Sequence, residues 1–476
     1  MRYFYITAIS LITIIAIGLR IYPYTIGRSL WLDEAALANN LLLEHTILNN
    51  MTYGQAAPPL FKLVSIMNIK ILGMTEAALR LFPLVCGIIS IGLFYLISRK
   101  ILNSKLVQTT AFLLFAINNY LIYYSSELKQ YNSDMLLVLI LIYVLIYHPV
   151  DTKSKRYFFI LGSIYSICIW LSHFLLFMCP VTLIYFCFKK ISYKKQLLFI
   201  CPFIISFVLY YILHLQFVSH SEFMNNYWEY AFLTSNQAWS HGLDNFIKLA
   251  FFPIKISAPV IFLIICGIIK SFEQQTTYAI LYVMPICCVL TAAALSLYPF
   301  APRLCLPLIP LCIIFICKSF DNDKTKITVA QILCGVLFVV SFLPYVTKYP
   351  AIILKKNIYY REEIKPLLLT IKKHIQEGDK LYLMQDTHHS FRFYNKTFNF
   401  KDDDVLIAPY NENFETYYTA PLERMTQKNK KYWIVFTQYF GKEVRLKKLE
   451  NWLLENTRII RFYHFYGNCL FYIERI

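Results

Sequence analysis

The sequence predicts a polytopic α-helical membrane protein with about 11 transmembrane helices, followed by a small α/β domain outside the membrane. Two features of the composition indicate the membrane part: 58% of the residues are hydrophobic, and only 16% are charged. Soluble proteins carry about a quarter charged residues, so lipid is expected to surround most of this chain. The third observation is that long apolar runs recur until about residue 346, where the sequence becomes more polar.

Each candidate span is an apolar run near the length of about 20 residues that a helix needs to cross the hydrocarbon core. The candidate spans are 3–22, 77–98, 106–124, 132–148, 157–172, 174–188, 197–217, 253–269, 278–297, 303–317 and 327–345. The region 157–188 allows two interpretations: two short tilted spans hinged at Ser172–His173, or one span with a re-entrant piece. The first run exceeds a normal signal-peptide core and lacks an A-x-A-like cleavage site, so we expect a retained span.

Positive charge alternates between successive loops and therefore predicts the orientation. Loops rich in lysine and arginine lie at 99–105, 153–156, 189–195, 270 and 318–326, and the loops between them are poor in positive charge. Positively charged loops stay in the cytoplasm, so the N-terminus is expected inside and the C-terminal domain outside. The Gly-poor composition, rich in Ile, Lys, Tyr and Phe, suggests an AT-rich bacterial genome, and hence a bacterial cytoplasmic (inner) membrane.

The formal net charge of +18 and the 13 cysteines have ordinary explanations in a membrane protein. The positive charge lies in short loops and in the C-terminal fifth, which is typical of topology signals and of contact with anionic membrane lipids. No nucleic-acid partner is expected. All cysteines except Cys469 lie in or beside apolar runs, and no CxxC motif occurs, so neither a zinc site nor a disulfide framework is indicated.

The chain is expected to divide into a membrane module at 1–345 and an extracytoplasmic α/β domain at 346–476. In that domain we expect strands in LYLMQ, KKYWIVFTQ and NCLFYIERI. A short helix should follow DTHHS, and GKEVRLKKLENWLLEN has the pattern of an amphipathic helix.

Two external loops of the membrane module have a composition of their own. In the first, at 24–76, Ala57–Pro58–Pro59–Leu60 should stop a helix, and Leu60–Gly73 suits an amphipathic helix in the interface plane. The second, at 218–252, is rich in tryptophan and tyrosine, which suits the lipid headgroup zone.

Polar residues at the outer ends of apolar spans are candidates for function, because ionisable groups are costly there. They include acidic, basic, tyrosine and histidine side chains: Asp33, Glu34, Glu76, Arg80, Glu127, Lys129, Tyr131, His173 and Arg303. With the predicted orientation, all of them map to the same face of the membrane.

Four stretches in the first 135 residues resemble a known family in order and spacing. They are LWLDEA, YGQAAPPLFKLV, TEAALRLFPLVCGIISIGLFYLISRKI and NNYLIYYSSELKQY. Together they resemble the polyprenyl-phosphate-dependent membrane glycosyltransferases of GT-C type. Within these, they are most similar to the branch of protein mannosyltransferases, lipid A aminoarabinose transferases and RgtA-like enzymes. PFAPRLCLPLIP and the strand-rich tail agree more loosely.

The resemblance implies a hexosyl- or pentosyltransferase of the cell envelope, acting in lipopolysaccharide or protein glycosylation. Its donor would be a sugar on a polyprenyl phosphate, and its acceptor a hydroxyl of a lipid, a glycan or a protein. By resemblance Asp33 is the base, Glu34 its orienting partner, and Lys129 and Arg303 are phosphate contacts. The further site candidates are Arg80 for the phosphate and Glu76, Glu127, Tyr131 and His173 in supporting positions. A base opposite the leaving group gives inversion at the anomeric carbon.

Two features of the resemblance stay open. Family members often have Arg where this chain has Lys129, and lysine cannot grip a phosphate with a planar fork. No cofactor is certain, although Asp33, Glu34 and Glu127 could supply oxygen ligands for Mg²⁺ or Mn²⁺. The Asp386, His388 and His389 cluster fits an exposed polar turn better than a metal site.

Each candidate residue also has a purely structural interpretation. Asp33 and Glu34 could lie in a solvated loop, with both carboxylates in water, or form the first turn of a helix, where acidic residues suit the helix dipole. Glu76 and Arg80, four residues apart, could simply pair at a helix start. Arg303 could be an anchor whose charged end reaches the headgroups.

Two other functions compete with glycosyl transfer: a lipid-linked sugar flippase or transporter, and a non-catalytic envelope assembly factor. A transporter predicts ionisable residues near the middle of spans and often paired halves of the sequence. The sequence has neither feature, and turnover of a lipid-linked donor would separate the three functions.

Overall fold

The structure is a computed structural model that describes residues 2–43, 48, 54–251, 254–321, 329–340, 362–409, 418–437, 443–465 and 468–476. Its contacts divide the chain into two compact units. The membrane unit comprises Met1–Ile26 and His45–Pro350, and the carboxy-terminal unit comprises Gly27–Glu44 and Ala351–Ile476. The predicted domain boundary at 345–346 lies outside the described residues.

The described part of the membrane unit consists of helices and turns, and helices are numbered here along the whole chain. Helix α2 (Leu32–Leu41) belongs to the carboxy-terminal unit. The helices of the membrane unit are α1 (Arg2–Thr25), α3 (Pro59–Leu72), α4 (Glu76–Ile101), α5 (Lys105–Ala116), α6 (Asn119–Tyr124), α7 (Tyr131–Tyr147), α8 (Lys155–Cys168), α9 (Leu175–Phe188), α10 (Tyr193–Tyr210), α11 (Gln216–Ser219), α12 (Glu222–Trp228), α13 (Asn236–Ala250), α14 (Ala258–Ala294), α15 (Leu308–Lys318) and α16 (Val329–Val340).

Among the described helices, four are long and apolar enough to cross a membrane. They are Tyr3–Thr25, Glu76–Ile101, Tyr193–Ser219 and Ala258–Ala294. The third of these combines α10 and α11 through a π-helical turn at Tyr211–Leu215. Shorter apolar helices overlap other predicted spans. They include α5, α7, α9, α15 and α16.

The predicted spans 253–269 and 278–297 correspond to the two halves of α14, which is broken at Gln275, where the backbone leaves helical geometry at φ −149° and ψ 59°. Two other predicted spans have wrong boundaries, and the local sequence explains both differences. The predicted span 303–317 begins as a helix only at Leu308, after Pro307, and Arg303 therefore lies in a turn. The predicted span 106–124 is divided between α5 and α6, because the Asn118 side chain accepts a hydrogen bond from the Leu121 N–H and starts a new helix.

Two predictions for the external and hinge regions have different outcomes. Pro58 and Pro59 do not stop a helix but begin α3, since a proline suits the first helical turn, where its missing N–H is not needed. The chain breaks between α8 and α9, and the break includes Ser172–His173; both interpretations of the region 157–188 contain such a break. The loop that the sequence predicts to be the second external one contains α12 and α13.

Two pairs of helices in the membrane unit approach each other closely at glycine. A Cβ added at Gly162 on α8 would lie 2.1 Å from the carbonyl oxygen of Phe199 on α10. A Cβ added at Gly267 on α14 would lie 2.0 Å from the carbonyl oxygen of Phe315 on α15. Small residues allow membrane helices to pack backbone against backbone, so these glycines set the spacing of both pairs.

A buried ion pair joins the end of α15 to the start of α5. The Lys318 ammonium donates to the Asp321 carboxylate at 3.0 Å and to the carbonyl oxygen of Ile101 at 2.9 Å. The same carboxylate accepts from the backbone N–H groups of Asn103 and Ser104, both at 2.9 Å. Asp321 therefore satisfies backbone groups at the beginning of α5, which the adjacent Ser104 side chain does not cap.

The carboxy-terminal unit contains a mixed five-stranded sheet. Its strands are β1 (Lys380–Leu383), β2 (Val405–Ile407), β3 (Lys431–Thr437), β4 (Thr457–Phe465) and β5 (Asn468–Arg475). Their order is β2-β1-β3-β5-β4; β1 is parallel to β2 and β3, and β5 is antiparallel to β3 and β4. The helices of this unit, besides α2, are α17 (Ile364–His374), α18 (His388–Phe398), α19 (Thr419–Met425) and α20 (Glu443–Asn456).

The core of the carboxy-terminal unit lies between its sheet and helices. Strand β3 is almost entirely buried, and Leu449 and Leu453 of α20 join the apolar cluster around it. Two aromatic residues, Trp433 and Tyr472, both donate to the buried Asp379 carboxylate at 3.1 Å. The predicted fold class, a polytopic helical membrane protein with a small C-terminal sheet, is confirmed.

Candidate functional site

The acidic pair lies in the first turn of α2, as the structural interpretation of these residues predicted. Trp31 precedes the helix and provides no side-chain cap, so the two carboxylates are the acidic groups nearest the positive end of the helix dipole. The interpretation that both carboxylates lie in water is wrong for Glu34, which is fully buried. Asp33 is partly exposed, because neighbouring residues of a helix point about 100° apart.

Asp33 lies within electrostatic range of His389, which belongs to α18 of the same unit. Burial lowers the pKa of His389 to about 3, and electrostatic interactions with His388 and Arg392 act in the same direction. The imidazole is therefore neutral at physiological pH. The Asp33 carboxylate raises the pKa of His389, but burial has the larger effect.

The Asp386, His388 and His389 cluster does not form a metal centre in the structure. Among the described residues, no group of three or more His, Cys, Asp or Glu side chains is placed to hold a metal ion. The His388 and His389 rings instead lie against each other, with centroids 3.7 Å apart.

In the membrane unit, Glu127 and Lys129 lie in the turn between α6 and α7, and Tyr131 is the first residue of α7. Glu127 is fully buried and Lys129 is 6% exposed. The Lys129 ammonium donates to the Gln55 side-chain oxygen at 2.5 Å, and its backbone N–H donates to the carbonyl oxygen of Glu127 at 2.8 Å. Gln130 adds a hydrogen bond to Ala56 at 3.5 Å. Two separate motifs, E-x-K-x-Y and Q-A-A-P-P, are therefore in contact.

Further cations are buried in the membrane unit. Arg80, one turn into α4, is 1% exposed, and Lys62 on α3 is 2% exposed. Glu76 is partly exposed at the start of α4, where Thr75 caps the helix by accepting from the Ala78 N–H. The sequence analysis missed Lys62, although a lysine in the middle of the apolar stretch PLFKLV was a signal.

His173 lies in the break between α8 and α9 and contacts His214. Their Nε2 atoms are 3.3 Å apart, and the Nδ1 of His214 is hydrogen bonded to the carbonyl oxygen of Leu48 at 2.6 Å. Lys62 interacts electrostatically with the imidazole rings of both His173 and His214. His173, which is partly exposed, therefore pairs with the buried His214.

Arg303 is held by aromatic side chains of α12. Its Nη2 donates to the Tyr227 hydroxyl at 2.8 Å, and its guanidinium carbon lies 4.7 Å from the centre of the Trp228 ring. Arg303 also interacts electrostatically with Tyr120. Tyr120 packs on Tyr124, and Tyr124 packs edge-on against Tyr131 at 5.0 Å. A row of tyrosines thus connects Arg303 with the turn that carries Lys129.

Asp134 is a second buried group that the sequence analysis missed. It lies in the first turn of α7, is 2% exposed, and is near the Ser172 hydroxyl and Tyr210. A carboxylate at the start of the apolar run MLLVLILI was the available signal.

The chain is similar to known membrane glycosyltransferases in sequence and in fold. Residues 56–214 match the family described as dolichyl-phosphate-mannose-protein mannosyltransferase. No curated protein sequence matches the chain. Among solved structures, ArnT from Cupriavidus metallidurans in the apo state has 11% identity and a TM-score of 0.52, with 96% of this chain and 97% of that chain covered.

Two further solved structures are similar in fold. ArnT from Cupriavidus metallidurans bound to undecaprenyl phosphate has 11% identity and a TM-score of 0.50, over 98% of this chain and 97% of that chain. The archaeal oligosaccharyltransferase AglB from Archaeoglobus fulgidus, in complex with an inhibitory peptide and a dolichol-phosphate, has 12% identity and a TM-score of 0.48, over 99% and 74%. The family match and the ArnT fold confirm the predicted resemblance to GT-C polyprenyl-phosphate-dependent glycosyltransferases.

Proposed function

We propose that this protein is an integral-membrane glycosyltransferase that moves a sugar from a polyprenyl-phosphate donor to a hydroxyl acceptor. The reaction takes place at the outer face of a bacterial cytoplasmic membrane, with the N-terminus inside. The observation that carries this proposal is that Lys62, Arg80 and Lys129, all within the matched segment 56–214, are buried cations in an apolar unit. Cations are costly in such surroundings and mark the path of an anion, here the phosphate of the donor.

The donor phosphate is assigned to Lys129, Arg303 and Arg80. A partly dehydrated site strengthens such contacts relative to water, and they stabilise the phosphate as it departs with negative charge. Lys129 binds as a point charge rather than as a planar fork. The stacked guanidinium of Arg303 provides the planar contact that Lys129 lacks. Undecaprenyl phosphate bound to the similar ArnT structure supports a polyprenyl carrier.

Asp33 is assigned as the general base. The acceptor oxygen attacks the anomeric carbon, the bond from that carbon to the phosphate oxygen breaks, and its electron pair leaves with the polyprenyl phosphate. The hydroxyl proton passes to the Asp33 carboxylate as the new bond forms. A single displacement of this kind inverts the anomeric carbon. The partly exposed position of Asp33 suits this role, and the buried Glu34 suits an orienting role.

The remaining site candidates are given supporting roles. Glu127 and Tyr131 shape the turn that presents Lys129, and His173 lies beside Lys62 through its contact with His214. Mg²⁺ or Mn²⁺ is not assigned to this reaction. The acceptor class is a hydroxyl of a lipid, a glycan or a protein of the cell envelope.

The test is donor turnover by the purified full chain in proteoliposomes that contain polyprenyl-phosphate sugars extracted from the source cells. We expect the wild-type protein to release polyprenyl phosphate, measured by mass spectrometry. The Asp33→Asn variant should lose about 10²-fold or more of this rate, because general base catalysis contributes on that order. The matched control is Asp244→Asn, because the Asp244 carboxylate on α13 pairs with Lys248 at 2.7 Å. The turnover rate of this variant should stay within about twofold of the wild-type rate.

Two outcomes would contradict the proposal at different points. If the Asp33→Asn variant retains turnover, Asp33 is not the base, but the proposed transferase activity stands. Movement of the donor across the bilayer by the wild-type protein, with no release of polyprenyl phosphate, would favour a flippase instead.

A further inference from the structure

The segment that carries the acidic pair is bound to the carboxy-terminal unit by buried hydrogen bonds. Glu363 lies 334 positions after Ser29 in the sequence. Its carboxylate accepts from the Ser29 backbone N–H at 3.1 Å and from the Ser29 hydroxyl at 3.0 Å. Ser29 is 3% exposed and Glu363 is 9% exposed. A carboxylate that binds two donors of one residue in a buried site fixes that residue firmly.

Helix α18 binds the next residue, Leu30, through both of its backbone groups. The Leu30 N–H donates to the Tyr394 hydroxyl at 2.8 Å, and the Leu30 carbonyl oxygen accepts from the Ser390 hydroxyl at 3.2 Å. Leu30 is completely buried, so both backbone groups would be costly without these partners.

Contacts on the far side of the acidic pair complete the attachment. The Asn39 side-chain amide, near the end of α2, donates to the carbonyl oxygen of His389 at 2.9 Å. Hydrogen bonds to the carboxy-terminal unit therefore lie both before and after Asp33 and Glu34. The segment that carries Asp33 and Glu34 is therefore fixed on both sides of the acidic pair.

Helix α2 depends on this attachment for its own order. It has only 10 residues and its N-cap residue Trp31 makes no side-chain cap. Isolated helices shorter than about 12–15 residues are marginal in water, so tertiary packing has to stabilise α2. Most of its residues are buried, and its packing partner is α18.

We propose that the carboxy-terminal unit, chiefly through Tyr394 and Ser390 of α18, positions the acidic helix and thereby sets the location of the Asp33 carboxylate. Tyr394 and Ser390 are positioning residues in this account. Its consequence for catalysis rests on the proposed function, since only there is Asp33 the base. A displacement of about 1 Å at a reacting group costs about 10²-fold in rate, so the attachment matters for turnover.

The experiment is hydrogen–deuterium exchange on the purified full chain, read in peptides that cover residues 29–41. Tyr394→Phe removes the hydroxyl bonded to the Leu30 N–H and keeps the ring. We expect exchange in this segment to increase about fivefold, the factor that corresponds to one lost hydrogen bond. Tyr382→Phe is the matched control: Tyr382 is buried in the core of the same unit, and its hydroxyl has no hydrogen-bond partner among the described residues. It should leave exchange at 29–41 unchanged.

Ser390→Ala provides a second, milder test in case Tyr394→Phe does not fold, and it should also increase exchange at 29–41. Unchanged exchange in the folded variants overturns the proposal, as does an equal increase in Tyr382→Phe. Hydrogen–deuterium exchange is measured without any enzymatic turnover, so this test is independent of whether the protein transfers a sugar.

Turnover in proteoliposomes then tests the catalytic consequence. Tyr394→Phe should lower kcat about tenfold with the donor KM unchanged, because the residues assigned to the donor phosphate are not altered. Tyr382→Phe should stay within about twofold. Increased exchange with unchanged kcat would overturn the link to catalysis, whereas a wild-type protein without turnover would refute the proposed function and leave the attachment intact.

Discussion

His389 illustrates at the residue scale how burial decides the charge of a side chain. Burial lowers its pKa from the ordinary 6.5 to about 3, electrostatic interactions with His388 and Arg392 add to the effect, and the interaction with Asp33 opposes it. The folded protein therefore binds fewer protons at His389 than the unfolded chain between about pH 3 and 6.5. Because protonation favours the unfolded state in this range, stability decreases as the pH falls.

Replacing His389 is therefore expected to reduce the acid sensitivity of the protein. In the wild type, this residue contributes a slope of at most about 1.4 kcal/mol per pH unit to the free energy of unfolding, below pH 6.5. His389→Asn keeps a polar side chain and removes the titrating ring, so the slope should become shallower. Thermal unfolding between pH 4 and 7 measures it. His464→Asn, at an exposed position on β4, is the control, and an equal change in both variants would contradict the assignment.

The cations of the membrane unit also differ residue by residue. Lys129 bonds to the Gln55 side chain, whereas Arg303 has its guanidinium against Trp228 and Tyr227. A lysine offers a point charge, and an arginine offers a planar set of donors. The two cations therefore differ in the geometry of the hydrogen bonds that they can donate.

At the scale of elements, the ion pair between Lys318 and Asp321 connects two helices. It lies in the interior, with the two side chains 1% and 0% exposed, and it also satisfies backbone groups before α5. Removing one partner of a buried pair leaves the other charge without compensation, which costs much more than the pair itself contributes.

Asp321→Asn should therefore destabilise the protein by about 3–5 kcal/mol. The measurement is unfolding by heat or denaturant in detergent. The exposed pair between Lys189 and Asp151, at 3.2 Å, is the matched control, and Asp151→Asn should cost less than about 1 kcal/mol. Equal losses in the two variants would show that Asp321 does not join the helices as described.

At the scale of the whole molecule, the charge distribution is expected to set the orientation of the chain in the membrane. Loops rich in lysine stay in the cytoplasm, and the aromatic loop with α12 and α13 is expected outside. Two exposed residues can report this orientation: Lys194 at the start of α10 and Asn236 at the start of α13.

Single cysteines at these two positions, in a variant without the natural cysteines, test the orientation in intact cells. All 13 natural cysteines are free thiols in the structure, so their replacement breaks no disulfide. A membrane-impermeant maleimide should label Asn236→Cys and leave Lys194→Cys unlabelled until the cells are opened. The opposite pattern would invert the orientation and place the proposed reaction at the cytoplasmic face.

Much of the architecture was predictable because it depends on local properties of the sequence. Apolar runs identified most of the helices of the membrane unit and the strands β1, β3 and β5. Strands β2 and β4 were missed: β2 has only three residues, and β4 mixes charged with apolar residues on a largely exposed edge. The break in α14 at Gln275 lies between the predicted spans 253–269 and 278–297, where polar residues interrupt the apolar run.

The candidate site was predictable only in part. The motif around Lys129 could be found because its residues are adjacent in the sequence. Lys62 and Asp134 were missed, since a charged residue within an apolar stretch shows its burial only after the helices pack.

By itself, the sequence determined that lipid surrounds most of this protein, where its apolar helices run, and which family it resembles, because composition, periodicity and motifs are properties of short stretches. Only the tertiary structure decided that the acidic helix is bound by Glu363, Ser390 and Tyr394, and that Glu34 is buried while Asp33 is partly exposed. The physical reason is that hydrogen bonds between residues more than 300 positions apart form only when the chain folds, and no local pattern records them.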